Sequence, residues 1–200
     1  MQARSTDIAE AFAGDAYHCE IPADPCAIVI FGASGDLAVR KLIPALYDLS
    51  AHACLAPRYA IVGFARTPMD DDSFRSAAGE AIRKMSEIGP ADDAMWRAFA
   101  QCMAYVPGEY HHPEAFERLA ARLESLDRER SLRGNRLFYL ATPPDISAHV
   151  IAQLGRAGLA RPVQGKSCVR IIIEKPFGRD LDSARRLNQM VLRVFDESQV

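Results

Sequence analysis

Residues 28–42, IVIFGASGDLAVRKL, give the strongest indication of the fold in this sequence. They begin with a run of branched apolar residues, pass through a turn with two glycines, and continue into a charged segment with helical spacing. A strand, a bare backbone turn and a helix start, in this order, suit the binding of a nucleotide phosphate. A tight turn that binds nothing is the alternative, so the context of the turn has to favour one of the two.

The same alternation of strand and helix patterns continues along the chain. Short apolar runs, of the kind found in strands buried on both faces, occupy residues 27–31, 59–64, 103–106, 136–140 and 169–174. Helical patterns occupy residues 36–50, 70–88, 92–100, 113–130, 144–158 and 181–197. This order predicts an α/β, Rossmann-like fold in which a doubly wound, mostly parallel sheet carries helices on both faces. Pro44 should bend or shorten the first helix.

Composition bounds the domain organisation and the class of partner. Residues 1–25 are predicted to be a polar, poorly ordered leader, and residues 26–200 one dinucleotide-binding domain. Because the net charge is only −2, neither a nucleic acid nor a membrane is expected as a partner. The five cysteines are scattered and include no C-x-x-C pair, which favours a reducing, cytoplasmic setting over a disulfide framework or a metal site.

The glycine turn departs from the usual dinucleotide fingerprint. Gly32, Gly35 and Ala38 give the spacing G-x-x-G-x-x-A, whereas the common fingerprint is G-x-G-x-x-G. The same physics applies, because the first glycine lets the chain turn off the strand and the second lets backbone N–H groups approach a pyrophosphate. Ala38 lets the helix pack close to the sheet, and Ser34 adds a hydroxyl donor. The position of the turn, between the first strand and the first helix, favours a bound dinucleotide over an empty turn.

The residues after the second strand indicate which dinucleotide is bound. NAD sites usually place an aspartate or glutamate there, to accept a hydrogen bond from the ribose 2′-hydroxyl. This chain has Arg66 and Thr67 instead. A guanidinium attracts a 2′-phosphate that a carboxylate would repel, so the sequence favours NADP. A solvated loop arginine is the alternative.

Two later strands also end in residues suited to a ligand. Glu174, Lys175 and Pro176 end the last apolar run, and the carboxyl ends of strands are where open α/β sheets bind ligands. A charged strand end followed by a plain turn is the alternative here. The segment 141–144, ATPP, is a rigid turn at the same edge of the sheet and is predicted to wall the cofactor cleft.

Four segments together resemble the glucose-6-phosphate dehydrogenase family. They are GASGDLAVRKLIPALYDL (32–49), AIVGFART (60–67), NRLFYLATPP (135–144) and RIIIEKPFGRDLDSARRLN (170–188). The resemblance covers about residues 27–200, with the motifs in the same order and at matching spacing. It implies an oxidoreductase that transfers a hydride from C1 of glucose 6-phosphate to NADP. The product is 6-phosphogluconolactone, in the first step of the oxidative pentose phosphate pathway.

The resemblance also implies roles for individual residues. The family's dinucleotide turn corresponds to Gly32, Ala33, Ser34, Gly35, Asp36 and Leu37. Its 2′-phosphate residue corresponds to Arg66, and its nicotinamide side to Ala141, Pro143 and Pro144. Its EKPFG motif corresponds to Glu174, Lys175 and Pro176, in which Lys175 also contacts the substrate and Pro176 is the expected cis proline.

One family motif does not occur in these 200 residues. R-I-D-H-Y-L-G-K-E, which holds the family's histidine base, would begin just after FDESQV, and so beyond Val200. The chain is therefore expected to bind NADP but to carry no catalytic residue. The family's C-terminal α+β substrate domain is also missing, and full-length members are expected to be homo-oligomers. A stand-alone NADP-binding regulatory module, or the cofactor domain of another sugar-phosphate dehydrogenase, is the alternative.

Overall fold

The computed structural model describes residues 23–88, 93–162 and 167–200. Most of the predicted leader, residues 1–22, lies outside the described residues. The secondary structure elements of the described chain follow the order expected from the alternating sequence pattern.

Five parallel strands of the described chain form the central sheet, in the order β3-β2-β1-β4-β5. Their bounds are Cys26–Phe31 (β1), Tyr59–Ala65 (β2), Met103–Pro107 (β3), Arg136–Leu140 (β4) and Val169–Ile173 (β5). Each strand lies within a residue or so of its predicted position. Strand β1 is central. Strands β2 and β3 follow on one side of it, and β4 and β5 follow on the other side. This is the doubly wound arrangement, so the predicted fold class is confirmed.

Six α-helices lie within the described ranges. They are Ile43–Ala51 (α1), Asp71–Met85 (α2), Asp93–Ala100 (α3), Pro113–Arg130 (α4), Pro144–Arg156 (α5) and Leu181–Val194 (α6). Their order matches the helical patterns of the sequence, but two of the predicted helices extend three residues too far at their C-terminal ends.

Tertiary contacts end both of these helices early. Helix α2 ends at Met85 and not at residue 88, because Ser86 is extended and donates its hydroxyl to the buried Asp48 carboxylate at 2.5 Å. Helix α6 ends at Val194 and not at residue 197, because Phe195 is extended and buried. A short 3₁₀ turn, Glu197–Gln199, follows it.

The first predicted helix is divided into two segments. A π-helical segment, Ala38–Leu42, precedes α1, and the Ile43 N–H donates to the Ala38 carbonyl five residues back. Pro44, which has no N–H to donate, lies directly after this segment in the first turn of α1. Pro44 does not shorten the helix, which continues to Ala51, and the irregularity beside it is the widened turn before the proline.

Strand β1 supplies the centre of both apolar layers. Val29 and Phe31 point into the layer formed with α4, α5 and α6, whereas Ile28 and Ile30 point into the layer formed with α1, α2 and α3. This alternation follows from the two-residue period of a strand. The sheet is therefore buried by helices on both faces, and the carboxyl ends of its strands remain for loops that can hold a ligand.

Phe31 lies where the aromatic core is densest. Its side chain is fully buried, and its ring centroid is 5.1, 5.9 and 6.2 Å from those of Phe64, Phe116 and Phe138. We expect Phe31→Ala to lower the free energy of unfolding by about 3–5 kcal/mol, because it removes buried area and leaves a cavity. Urea denaturation followed by circular dichroism measures this loss. Leu192→Ala, on the exposed side of α6, is the control and should cost about 0.5 kcal/mol or less. Equal losses for the two variants would contradict the assigned core.

Candidate functional site

The turn after β1 is built so that only glycine fits at residue 32. Gly32 has a φ of +84°, and its N–H donates to the Phe64 carbonyl at 2.9 Å. A Cβ at this position would stand 2.6 Å from the Ala141 carbonyl oxygen, which belongs to the turn after β4. The β1 and β4 turns therefore approach each other through bare backbone.

The second glycine begins the helix. The Gly35 N–H donates to the Gly32 carbonyl at 2.8 Å, and the Gly35 carbonyl accepts from the Val39 N–H at 3.0 Å. A Cβ on Gly35 would lie 3.0 Å from the Gly32 carbonyl oxygen. The helix start that follows presents N–H groups and a partial positive charge toward the same edge of the sheet.

A cleft of about 560 Å³ opens beside this turn. Its walls come from the residues that follow β1, β2, β3 and β4, together with the start of α5. The lining residues of this Gly32 cleft are Gly32, Ser34, Gly35, Arg66, Thr67, Pro68, Glu109, Tyr110, Ala141, Thr142, Pro143 and Ile146. The structure thus brings together six residues of the predicted site, from three separate segments of the chain: Gly32, Ser34, Gly35, Arg66, Ala141 and Pro143.

Four other predicted residues lie beside the cleft rather than in its lining. Ala33 is buried and packs in the apolar layer beneath the turn. Asp36 is exposed and forms an ion pair with Arg40 at 3.5 Å, and Leu37 is also exposed. Pro144 is the first residue of α5. Their roles toward a coenzyme stay predictions.

The Arg66 side chain lies over an aromatic ring. Its guanidinium carbon is 5.9 Å from the ring centroid of Tyr110, a geometry suited to a cation–π interaction. Tyr110 is buried, and this burial raises the pKa of its hydroxyl, while the positive charge of Arg66 acts in the opposite direction. Within the described ranges Arg66 forms no ion pair. Its positive charge is therefore available to an anionic ligand in the cleft.

Hydroxyl groups hold the β1 and β2 turns together. The Thr67 hydroxyl donates to the Ser34 hydroxyl at 2.9 Å, and the Tyr105 hydroxyl donates to the Thr67 carbonyl at 2.8 Å. Burial raises the pKa of Tyr105 to about 12, so its phenol keeps the proton it donates at neutral pH. This chain of hydrogen bonds fixes the loop that carries Arg66.

The EKPFG segment begins one residue after β5. The Tyr139 hydroxyl donates to one oxygen of the Glu174 carboxylate, and the Lys175 N–H donates to the other oxygen at 3.3 Å. Burial is the main cause, and the hydrogen bond to Glu174 the second, that raise the pKa of Tyr139 to about 12. Lys175 is exposed, and the Lys175–Pro176 peptide bond is cis, as the resemblance implies.

Strand register relates this segment to the Gly32 cleft. Leu140 pairs with Ile173, so Ala141 and Glu174 follow neighbouring strands at the same edge of the sheet. Glu174, Lys175 and Pro176 are not among the residues that line the cleft. Their predicted contacts with a coenzyme or a substrate stay predictions.

The family's histidine motif is expected to begin directly after Val200. Val200 itself does not line the Gly32 cleft. It is 58% exposed, and its N–H donates to the Glu197 carbonyl at 3.3 Å, just after the 3₁₀ turn. Within the described ranges no histidine lines the cleft either. The expectation that the catalytic base lies beyond Val200 therefore stays a prediction.

Tyr110 and Glu109 are two cleft residues that sequence reasoning missed. Both follow β3, the weakest apolar run of the sequence, in the loop before α4. The signal that could have found them is the adjacency of β2 and β3, which places the residues after these two strands side by side. The order of strands in a sheet is not a property of any local segment.

The Gly32 cleft fits a dinucleotide on its own geometry. It lies at the point where the sheet order reverses, at the carboxyl ends of β1 and β4, where open α/β sheets bind such ligands. Its floor is backbone that a Cβ would fill, and a helix start and Arg66 supply positive charge for phosphates. Gly32, Ser34, Gly35 and Arg66 are the residues that would hold it.

Residues 23–88, 93–162 and 167–200 also bear on two other classes of site. No group of three or more histidine, cysteine, aspartate or glutamate side chains in these ranges is placed to hold a metal ion. No helix in these ranges is long and apolar enough to cross a membrane.

Known proteins are similar to this chain over most of its length. Two curated relatives named glucose-6-phosphate 1-dehydrogenase 2, from Mycobacterium bovis and Mycobacterium tuberculosis, are 44% identical over 178 residues, which is 89% of this chain and 34% of theirs. A glucose-6-phosphate 1-dehydrogenase from Chlamydia pneumoniae is 42% identical over 178 residues, with 88% and 35% covered. The chain thus spans about a third of the length of the curated relatives it matches.

Solved structures give the same result. A glucose-6-phosphate dehydrogenase in complex with its substrate glucose-6-phosphate matches at a TM-score of 0.75 and 32% identity, over 88% of this chain and 35% of that one. A glucose-6-phosphate 1-dehydrogenase from Mycobacterium avium matches at a TM-score of 0.72 and 33% identity, over 89% and 35%. The family model "Glucose-6-phosphate dehydrogenase, NAD binding domain" matches residues 29–200. This chain therefore belongs to the glucose-6-phosphate dehydrogenase family, in the part that forms its NAD binding domain.

Proposed function

We propose that this chain is the NADP-binding part of an enzyme that oxidises glucose 6-phosphate at C1 and passes the hydride to NADP, giving 6-phosphogluconolactone. One observation carries the proposal. In a chain of this family, the backbone floor at Gly32 and the guanidinium of Arg66 lie in the same cleft, and no acidic residue directly follows β2. Residues 26–200 form the coenzyme domain in this proposal.

Each part of the Gly32 cleft has a separate task toward the coenzyme. The pyrophosphate binds at the helix start that follows Gly35, because the Gly32, Ala33 and Gly35 N–H groups already donate to the Phe64 and Gly32 carbonyls. Arg66 binds the 2′-phosphate, and the Thr67–Ser34 hydroxyl pair keeps the Arg66 loop in place. The bound nicotinamide supplies the hydride acceptor. The protein's contribution here is to bind and orient it.

The substrate end lies at the ends of β4 and β5. Tyr139 holds the Glu174 carboxylate, so the backbone that leads into Lys175 has a defined direction. In the proposal Lys175 contacts the sugar phosphate beside the nicotinamide. The base that takes the C1 hydroxyl proton belongs to the family's R-I-D-H-Y-L-G-K-E motif, which these 200 residues do not contain.

The setting of the complete protein forms part of the same proposal. It acts in the cytoplasm on small molecules, as a homo-oligomer, and not on nucleic acid. The four cysteines in the described ranges, Cys26, Cys54, Cys102 and Cys168, are free thiols, which suits a reducing compartment.

Coenzyme binding by this chain tests the Arg66 assignment. We expect calorimetric titration to show tighter binding of NADP⁺ than of NAD⁺. In Arg66→Ala, NADP⁺ binding should weaken about 10- to 100-fold, because a charge-assisted contact to the 2′-phosphate is lost, and NAD⁺ binding should change little. Arg58→Ala, an exposed arginine just before the other end of β2, is the matched control. Equal losses for both coenzymes in Arg66→Ala would show that Arg66 does not recognise the 2′-phosphate.

The backbone floor is tested at residue 32. We expect Gly32→Ala to abolish binding of both coenzymes, because its Cβ would meet the Ala141 carbonyl and push the two turns apart. Gly158→Ala is the matched control, since Gly158 also has a positive φ of +68° but has nothing within 4 Å of its Cβ position. The control should lose some stability and keep coenzyme affinity. Wild-type affinity in Gly32→Ala, measured by the same titration, would contradict the assigned floor.

Turnover separates the enzyme from a stand-alone binding module. We expect the 200-residue chain to form no NADPH from glucose 6-phosphate, followed by absorbance, although it binds NADP⁺. A longer protein that includes the family's histidine motif should form NADPH, because a positioned base contributes about 10²–10⁴-fold to such a step. A longer protein that binds NADP⁺ and oxidises no sugar phosphate would support the binding module instead.

A further inference from the structure

The loop after β3 brings a second charged side chain to the Arg66 side of the Gly32 cleft. Ala65, the last residue of β2, pairs with Pro107, and the Gly108 N–H donates to the Ala65 carbonyl at 2.9 Å. The two strands thus leave the sheet together. Arg66 follows one strand and Glu109 comes soon after the other, and both residues line the cleft.

Arg66 and Glu109 act on the same group from within this cleft. Burial is the main cause that raises the pKa of the Tyr110 hydroxyl. The positive charge of Arg66 lowers this pKa, and the negative charge of Glu109 raises it. The charged atoms of Arg66 and Glu109 nevertheless do not come within 4.0 Å of each other, so the two residues form no ion pair. The cleft therefore presents a guanidinium and a carboxylate that are not neutralised by each other.

The loop does not need the Glu109 carboxylate for its own shape. The backbone carbonyl of Glu109 accepts from the His112 N–H at 3.3 Å, and the Gln153 side chain donates to the His111 carbonyl at 2.7 Å. In the described part of the chain, the Glu109 carboxylate itself makes no hydrogen bond or ion pair. Glu109 is half-buried, and a carboxylate without a protein partner beside a ligand cleft can interact with the ligand.

We propose that Glu109 is a specificity-determining residue that weakens the preference for NADP over NAD set by Arg66. The inference rests on the proposed function, because it concerns the coenzyme of that same cleft. A carboxylate repels a 2′-phosphate, and it accepts a hydrogen bond from the free 2′-hydroxyl of NAD. The acid that NAD sites place after the second strand is supplied here after the third, on the neighbouring strand end.

Calorimetric titration of Glu109→Gln with NADP⁺ and with NAD⁺ tests the proposal. The substitution keeps the shape and removes the charge. We expect NADP⁺ to bind about three- to tenfold more tightly than to the wild type, and NAD⁺ to bind no more tightly or slightly more weakly. Circular dichroism and the thermal midpoint verify that the variant is folded.

Two control variants separate a charge in the cleft from other effects. Glu117→Gln removes an exposed charge on α4 that does not line the cleft. At about 150 mM salt, where the Debye length is roughly 8 Å, the Glu117 change should leave both affinities unaltered while the Glu109 effect persists. Glu109→Asp keeps the charge and should retain most of the wild-type ratio of the two affinities.

Three results would overturn the inference. The first is an unchanged ratio of NADP⁺ to NAD⁺ affinity in Glu109→Gln. The second is an equal shift in Glu109→Asp, which would assign the effect to shape rather than charge. The third is a wild-type chain that binds neither coenzyme. This third result also overturns the proposed function, whereas the first two leave that function intact, so the two failures are distinguishable.

Discussion

The contact between the Gly32 turn and the Ala141 carbonyl is the constraint on which the site depends. A Cβ at residue 32 would stand 2.6 Å from that oxygen, so the turns after β1 and β4 approach through bare backbone. The Gly32 N–H is fixed in turn by the Phe64 carbonyl of β2. Three neighbouring strand ends are thereby held in one arrangement. The floor of the cleft is made of backbone, so the specificity for a ligand depends on the side chains around it.

The fold was predictable because its signals are local. Each strand is a short apolar run, and the alternation of strand and helix patterns leads directly to a parallel, doubly wound sheet. The errors in helix ends arose where a distant residue intervenes. The sequence continues a helical pattern beyond Met85, but the buried Asp48 carboxylate, 38 residues before Ser86, binds the Ser86 hydroxyl and the Glu87 N–H. No local pattern contains that contact.

The candidate site was predictable only where it follows a recognisable motif. The glycine turn, Arg66 and the ATPP turn each stand directly after a strong apolar run, and the structure brings them to one cleft. Tyr110 and Glu109 were missed because they follow β3 and lack a motif of their own. Their place in the cleft depends on β3 lying next to β2, and the order of strands in a sheet is a global property. The approach of Arg66 to the Tyr110 ring follows from that order.

This difference bears on how coenzyme preference is read from a sequence. The usual argument examines the residues after the second strand, because an acid there accepts the ribose 2′-hydroxyl and an arginine attracts a 2′-phosphate. In this sheet the residues that follow β3 line the same cleft as those that follow β2, since Ala65 and Pro107 are paired. In the proposal for Glu109, coenzyme preference is set by the summed charge of these two neighbouring strand ends. An arginine after β2 indicates NADP only to the extent that the loop after β3 does not offset it.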